Sequence, residues 1–259
     1  MTARSDTVAT RPAGRLLRLG LAIGAGLGLA LLAEPAMAQQ LSLDLGESGS
    51  LTGRVLQLIA LLTILSLAPS ILVMVTSFTR IVVVLSLMRS AIGIQQSPPN
   101  SVLISLALFL TAFIMAPTLQ TSYRDGIVPY VNDEIAETEA FEKGIAPFRT
   151  FMLTHVRDKD LSLFLDLAKA EPPKDPQATP LHVLVPAFMI SELRRAFEIG
   201  FLIFVPFIVI DMVVASVLMS MGMIMLPPVI ISLPFKLIFF VMVDGWNLIA
   251  GSLVQSYGG

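Results

Sequence analysis

Two stretches of this chain run the length of a bilayer without a charge, and two more nearly do. Val55 to Val75 covers 21 residues and Val102 to Leu119 covers 18 with no ionisable side chain. Ile199 to Val217 and Val229 to Val254 are equally apolar, interrupted only by Asp211 in the first and by Lys236 and Asp244 in the second. About 20 apolar residues in a helix cross the ~30 Å hydrocarbon layer. In lipid every backbone N–H and C=O must be satisfied within the protein, which helices do locally. Prolines fall within these runs, with Pro117 near the end of its run; Pro69, Pro206 and Pro234 lie deeper, and each removes one such bond and predicts a kink or break. The fold class is therefore all-α: a polytopic membrane protein of kinked helical hairpins.

Composition narrows function. Charged residues make up 14% of the chain, against about 25% in a soluble domain. Half of them lie between Tyr123 and His182, a polar helical insert with 11 acidic and 7 basic residues. The net charge of −2 leaves no nucleic-acid footprint. Without cysteine there are no disulfides, thiolate metal sites or cysteine nucleophiles. Both histidines, His155 and His182, lie in the polar stretch, so neither a metal nor another cofactor is expected.

The N-terminus reads as an export signal. Arg11, Arg15 and Arg18 precede the uncharged run Leu19 to Leu32, and Ala36-Met37-Ala38 offers a small-x-small cleavage site with Gln39 as the mature start. The alternative, a first transmembrane helix, is disfavoured by its length and by Gly20, Gly24, Gly26 and Gly28. The chain then divides into a signal peptide (1–38), a short exported leader (39–54), a first apolar hairpin region (55–122), the polar insert (123–182) and a C-terminal helical hairpin (183–259). Ser70 to Ser122 forms a hairpin folded at Pro98-Pro99. In the insert, Phe148, Phe151, Met152 and Val156 mark an amphipathic helix starting at Ala146-Pro147, and Asp160 is positioned to cap a second from Leu161 to Ala168. An exported N-terminus makes the first span run inward. Arg80 and Arg89 then fall on the cytoplasmic side, the insert on the periplasmic side and the C-terminus outside. Arg194 and Arg195 lie near the outer face in this scheme, offset by Glu192 and Glu198 at helical spacing.

An ionised residue in a span costs about 2.5–3.5 kcal/mol on insertion scales, so Asp211, Lys236 and Asp244 each require a partner or a wet path. An interhelical ion pair of Asp211 with Lys236 is the structural reading; a proton relay or pore lining is the functional one. An intramembrane aspartyl protease needs two carboxyls sharing a proton. The Gly-x-Gly-Asp context is absent, since Asp211 follows Ile210 and Asp244 follows Val243, and no enzymatic activity is expected. The methionines are more distinctive. Met219, Met221, Met223 and Met225 alternate, and neighbours two apart point about 200° apart on a helix, so they form no single stripe. Gly222 and Pro227-Pro228 mark the stretch as a loop or helix end, where methionine serves either as core filler or as a deformable apolar seal.

Long ordered motifs resemble the FliP (SctR) family of type III secretion export-gate subunits. Pro186-Ala187-Phe188-Met189-Ile190-Ser191-Glu192-Leu193-Arg194-Arg195-Ala196-Phe197-Glu198-Ile199-Gly200 is similar to one family signature, and Pro206-Phe207-Ile208-Val209-Ile210-Asp211-Met212-Val213 to a second. Phe78-Thr79-Arg80-Ile81 and Gly93 to Asn100 resemble the family's first hairpin. Gly222 to Pro228, Leu233-Pro234-Phe235-Lys236 and Val243-Asp244-Gly245-Trp246 resemble its C-terminal part. The resemblance implies a subunit of the flagellar protein-export gate, in a ring of about five copies with FliQ- and FliR-like subunits. FlhA- and FlhB-like components complete the gate, and unfolded rod, hook and filament proteins are the cargo. It also implies a gasket at Met219, Met221, Gly222, Met223, Ile224, Met225, Pro227 and Pro228, with Ile224 where the family has methionine. A further implication is that the core rises out of the bilayer, its kinked hairpins packed on neighbouring subunits. A virulence-type export subunit is the nearest alternative and a solute or ion transporter the next; the latter needs a repeat that the sequence lacks.

Overall fold

The computed structural model describes residues 51–258 apart from Gln95 and Ile224. The proposed cleavage residues Ala36, Ala38 and Gln39 lie outside the described residues, as does Ile224 of the methionine loop. Of a first unit, Met1–Ala60, only the start of one helix is described; the remainder concerns the second unit, Leu61–Gly259.

The described residues form helices α1 (Leu51–Met74), α2 (Phe78–Ile92), α3 (Asn100–Ser122), α4 (Val128–Val131), α5 (Glu137–His155), α6 (Asp158–Leu167), α7 (Leu181–Ser220), α8 (Pro228–Met242) and α9 (Gly245–Gly258). A π-type turn, Tyr123–Ile127, joins α3 to α4, and no strand occurs among the described residues. Asn100–Val131 and Leu181–Ser220 are long and apolar enough to cross a membrane, and the pair α8–α9, bent by 61°, is a third candidate. Together they define an all-α membrane protein.

The α2–α3 hairpin forms at the expected place. Gly93, at φ +91°, closes α2 with its N–H on the Ser90 carbonyl. Arg89 then ties the turn, its Nη1 donating to Asn100 Oδ1 at 2.6 Å and to the Pro98 carbonyl at 3.2 Å. Ile81, Val84, Leu85 and Met88 recur at helical spacing on α2 and are fully buried. They pack with Leu103 and Ala107 of α3, Ala196 and Phe207 of α7, Phe240 of α8 and Leu253 of α9. This core is central to the bundle. A second, smaller cluster joins Met152 of α5 to Leu184 and Phe188 of α7.

Several expectations are corrected. The apolar run Val229 to Val254 is two helices, because the chain turns at Asp244 with φ +50° before Gly245. Lys236 therefore lies within α8 and Asp244 at the bend that follows it. The run Ile199 to Val217 is the lower half of a 40-residue helix that carries Pro186 and Pro206 inside it. The insert's amphipathic helix begins at Glu137, ahead of Pro147, and α1 continues past position 69 to break at Val75–Ser77. Asp160 is not a cap; Arg157 occupies that position, and Asp160 is buried against α7.

The alternating topology does not fit either. Arg80 Nη1 donates to Ser256 Oγ at 3.0 Å, so the start of α2 and the end of α9 share one level. Two groups in hydrogen-bond contact cannot lie on opposite faces of a ~30 Å layer. Ile71 and Met74 of α1 likewise line one apolar cavity with Phe141 of α5 and Leu181 of α7, so α1 ends beside the polar insert.

The candidate gate loop and two buried charge pairs

The methionine loop begins where α7 stops. The N–H of Gly222 donates to the Met219 carbonyl at 3.1 Å and that of Met223 to the Leu218 carbonyl at 3.0 Å. This is the paired closure of a helix by a left-handed residue, and Gly222 supplies it at φ +75° with no steric cost. Pro227 precedes and Pro228 opens α8, where a missing N–H costs nothing. The loop is thus short and fixed at both ends. Its side chains are not core: Met219, Met221 and Met223 are exposed, and Met225 is 98% exposed. In this chain taken singly the methionines fill no cavity, which leaves them free to contact other chains.

Below the loop, α7 and α8 are joined by charge. Lys236 Nζ donates to Asp211 Oδ2 at 2.6 Å and to the Ala91 carbonyl of α2 at 3.4 Å. Ser232 Oγ donates to the other carboxylate oxygen at 2.5 Å. The Lys236 side chain is 6% exposed and that of Asp211 32%. This matches the interhelical pair expected from sequence. Asp244 is different: it is exposed at the α8–α9 bend, with its backbone engaged by Val241 and Leu248.

At the opposite end lies a pair that sequence reasoning missed. Arg80 of α2 meets Glu192 of α7 through two bonds, with Nε on Oε2 at 2.9 Å and Nη2 on Oε1. The side chains are 1% and 0% exposed. Tyr257 of α9 covers the pair, its ring centroid 3.8 Å from the guanidinium carbon and its hydroxyl donating to Glu192. Phe151 of α5 stacks on Tyr257 at 5.8 Å. Glu192 therefore does not join Arg194, Arg195 and Glu198 in a local cluster. Only Arg194 and Glu198 pair there, at 2.9 Å on the exposed face. The overlooked signal was a count: Arg80 has no acidic residue anywhere in 55–122, so its partner had to come from a distant helix.

Next to Glu192, Ser191 fastens the insert. Its hydroxyl donates to Asp160 Oδ2 at 2.6 Å and accepts the Arg157 N–H at 3.1 Å. Burial pushes the Asp160 carboxyl up, but hydrogen bonds from Ser191 and Arg157 and the Arg157 charge outweigh it and leave the group below its ordinary range. No cluster able to hold a metal ion occurs among the described residues.

The fold and these sites define a class: a helical membrane protein with charge pairs buried between its helices, wide exposed apolar faces and an exposed thioether loop. The FliP family model matches residues 61–253. A flagellar biosynthetic protein FliP from Caulobacter vibrioides is 60% identical over 238 residues, covering 92% of this chain and 90% of that protein. One from Bacillus subtilis is 56% identical over 201 residues, covering 78% and 91%. One from Aquifex aeolicus is 52% identical over 219, covering 84% and 91%. The chain belongs to the FliP family. It is a flagellar export-gate subunit, a structural component of the export apparatus and not an enzyme; the virulence-type and transporter alternatives are not favoured.

Proposed function

We propose that this subunit forms part of the inner-membrane channel for unfolded rod, hook and filament proteins, and that its methionine loop is the seal. The observation that carries this is the exposure of Met219, Met221, Met223 and Met225 on a loop fixed by Gly222 and Pro227-Pro228. A ring of about five copies repeats the loop around an axis, and a collar of apolar side chains stops ions by dewetting without a charged group. Thioethers are flexible enough to part around a passing polypeptide and close behind it. Ile224, branched at Cβ, is the stiffer member of that collar.

FliQ- and FliR-like subunits complete the core, FlhA- and FlhB-like components feed it, and the polar insert faces the periplasm. With the insert on that side the end of α1 is there too, so an exported N-terminus means α1 does not cross as a simple span. Asp211, Lys236 and Asp244 serve assembly, the first two within the subunit and Asp244 towards a neighbour. The test is a leak. Met223→Ala with Met225→Ala should let an excluded dye enter cells while the complex still assembles, whereas leucine at both positions keeps the seal and slows export. An ion-tight alanine variant in a fully assembled complex overturns the gasket.

A further inference from the structure

The end of α2 stops level with the Asp211–Lys236 pair, because Lys236 reaches the Ala91 carbonyl. Helix α7 continues nine residues beyond Asp211 to Ser220, about 13 Å at 1.5 Å per residue. The α2–α3 hairpin is thus shorter than the α7–α8 hairpin beside it, and the step between them holds a cavity of about 430 Å³. Its walls are of two kinds. Phe204, Phe207, Ile208 and Val229 are apolar, whereas Arg89, Asp211 and Lys236 carry charge.

The charges do not cancel. Asp211 is fully engaged by Lys236 and Ser232. Arg89 uses only Nη1, on the Pro98 carbonyl and Asn100 Oδ1, and among the described residues no carboxylate lies within ion-pair distance of it. Its Nε and Nη2 donors remain for a ligand, already oriented because the turn holds the guanidinium. One net positive charge therefore faces a cavity walled by aromatic and aliphatic side chains. A planar guanidinium fork matches an oxyanion, and basic pockets between membrane helices accept anionic lipid head groups. The apolar walls suit the first methylenes of an acyl chain, which a freely hydrated ion would leave uncovered.

We propose that this step is a binding site for an anionic phospholipid, with the phosphodiester on Arg89 and the acyl chain against Phe204, Phe207 and Ile208. The lipid completes the charge balance that Asp211 leaves unfinished. It also fills the wedge between the two hairpins, fixing their relative height. The inference does not depend on the gasket assignment, since no loop methionine lines the cavity.

The test is native mass spectrometry of the full complex purified in a non-ionic detergent, with dioleoyl phosphatidylglycerol, dioleoyl phosphatidylcholine or inorganic phosphate added in turn. The wild type should retain phosphatidylglycerol well above phosphatidylcholine. Because Arg89 also holds the turn, its replacement risks misfolding, so the charge is neutralised from Ser90, which lines the same cavity at the exposed end of α2. Ser90→Asp should weaken phosphatidylglycerol retention about fivefold, the effect of one basic charge at a membrane surface; Ser90→Asn should not. Ile208→Trp, which fills the apolar side, should also reduce retention. Equal retention of the two lipids overturns the proposal, as does unchanged binding in Ser90→Asp or displacement by millimolar inorganic phosphate.

Discussion

The two buried ion pairs sit at opposite ends of the same α2–α7 contact and are finished to different degrees. Arg80–Glu192 has both partners sealed, a tyrosine face over the guanidinium and a serine on its remaining donor. Asp211–Lys236 has a sealed lysine but a carboxylate about one-third exposed to an open step. Paired charges removed from water repay their desolvation only when every donor and acceptor is satisfied. The upper pair meets that condition within one chain. The lower one keeps its hydrogen bonds but leaves its carboxylate partly open to the step. Exposed apolar residues crowd there as well, with Met212, Val213 and Val217 on α7 and Met225 and Ile230 across the loop.

The largest effect should come from opening the sealed pair. Arg80→Met leaves Glu192 buried without its counter-charge, a loss of about 3–5 kcal/mol. The expected result is disappearance of folded subunit from the membrane, read by thermal unfolding in detergent. Survival at wild-type stability would mean that water reaches Glu192 and that the two ends are alike. Lys236→Met should cost less, about 1.5–3 kcal/mol for charged hydrogen bonds, because Asp211 can turn to the open step. Its expected phenotype is failure of the assembled core to accumulate on native gels. Normal assembly with lost motility would move the pair from architecture to proton or pore function.

The smallest effect concerns the insert. Asp160 is held below its ordinary carboxylate range when folded. Its contribution to stability is therefore present above the unfolded value near 4 and is lost as pH falls through and below it. Hydrogen exchange of α6 should accelerate below about pH 4 while α2 stays protected. Asp160→Asn should remove the pH dependence. Loss of α2 protection at the same pH would show that the clamp and the sealed pair unfold as one unit.

Much of this was legible in order along the chain. Periodicity gave the amphipathic part of α5, the Pro98-Pro99 turn gave the hairpin, and Gly222 with Pro227-Pro228 gave the loop bounds. Asp211 and Lys236 announced themselves by being charged in apolar runs. The misreadings of charge share one cause. Arg80, Glu192 and Asp160 were judged by their neighbours in sequence, as a loop charge, a local pair and a cap, although each has its partner on another helix.

The sequence by itself determined that the chain is helical, that it needs lipid or other subunits around it, and where the α2–α3 and α7–α8 turns fall. These follow from local properties: residue polarity, backbone geometry at glycine and proline, and the cost of an unpaired peptide group. Only the tertiary structure decided which charges meet, because Arg80 and Glu192 are 112 positions apart and nothing local couples them. It also decided that the end of α1, the polar insert and the end of α9 share one end of the bundle. That arrangement is fixed by short-range bonds that hydropathy cannot see.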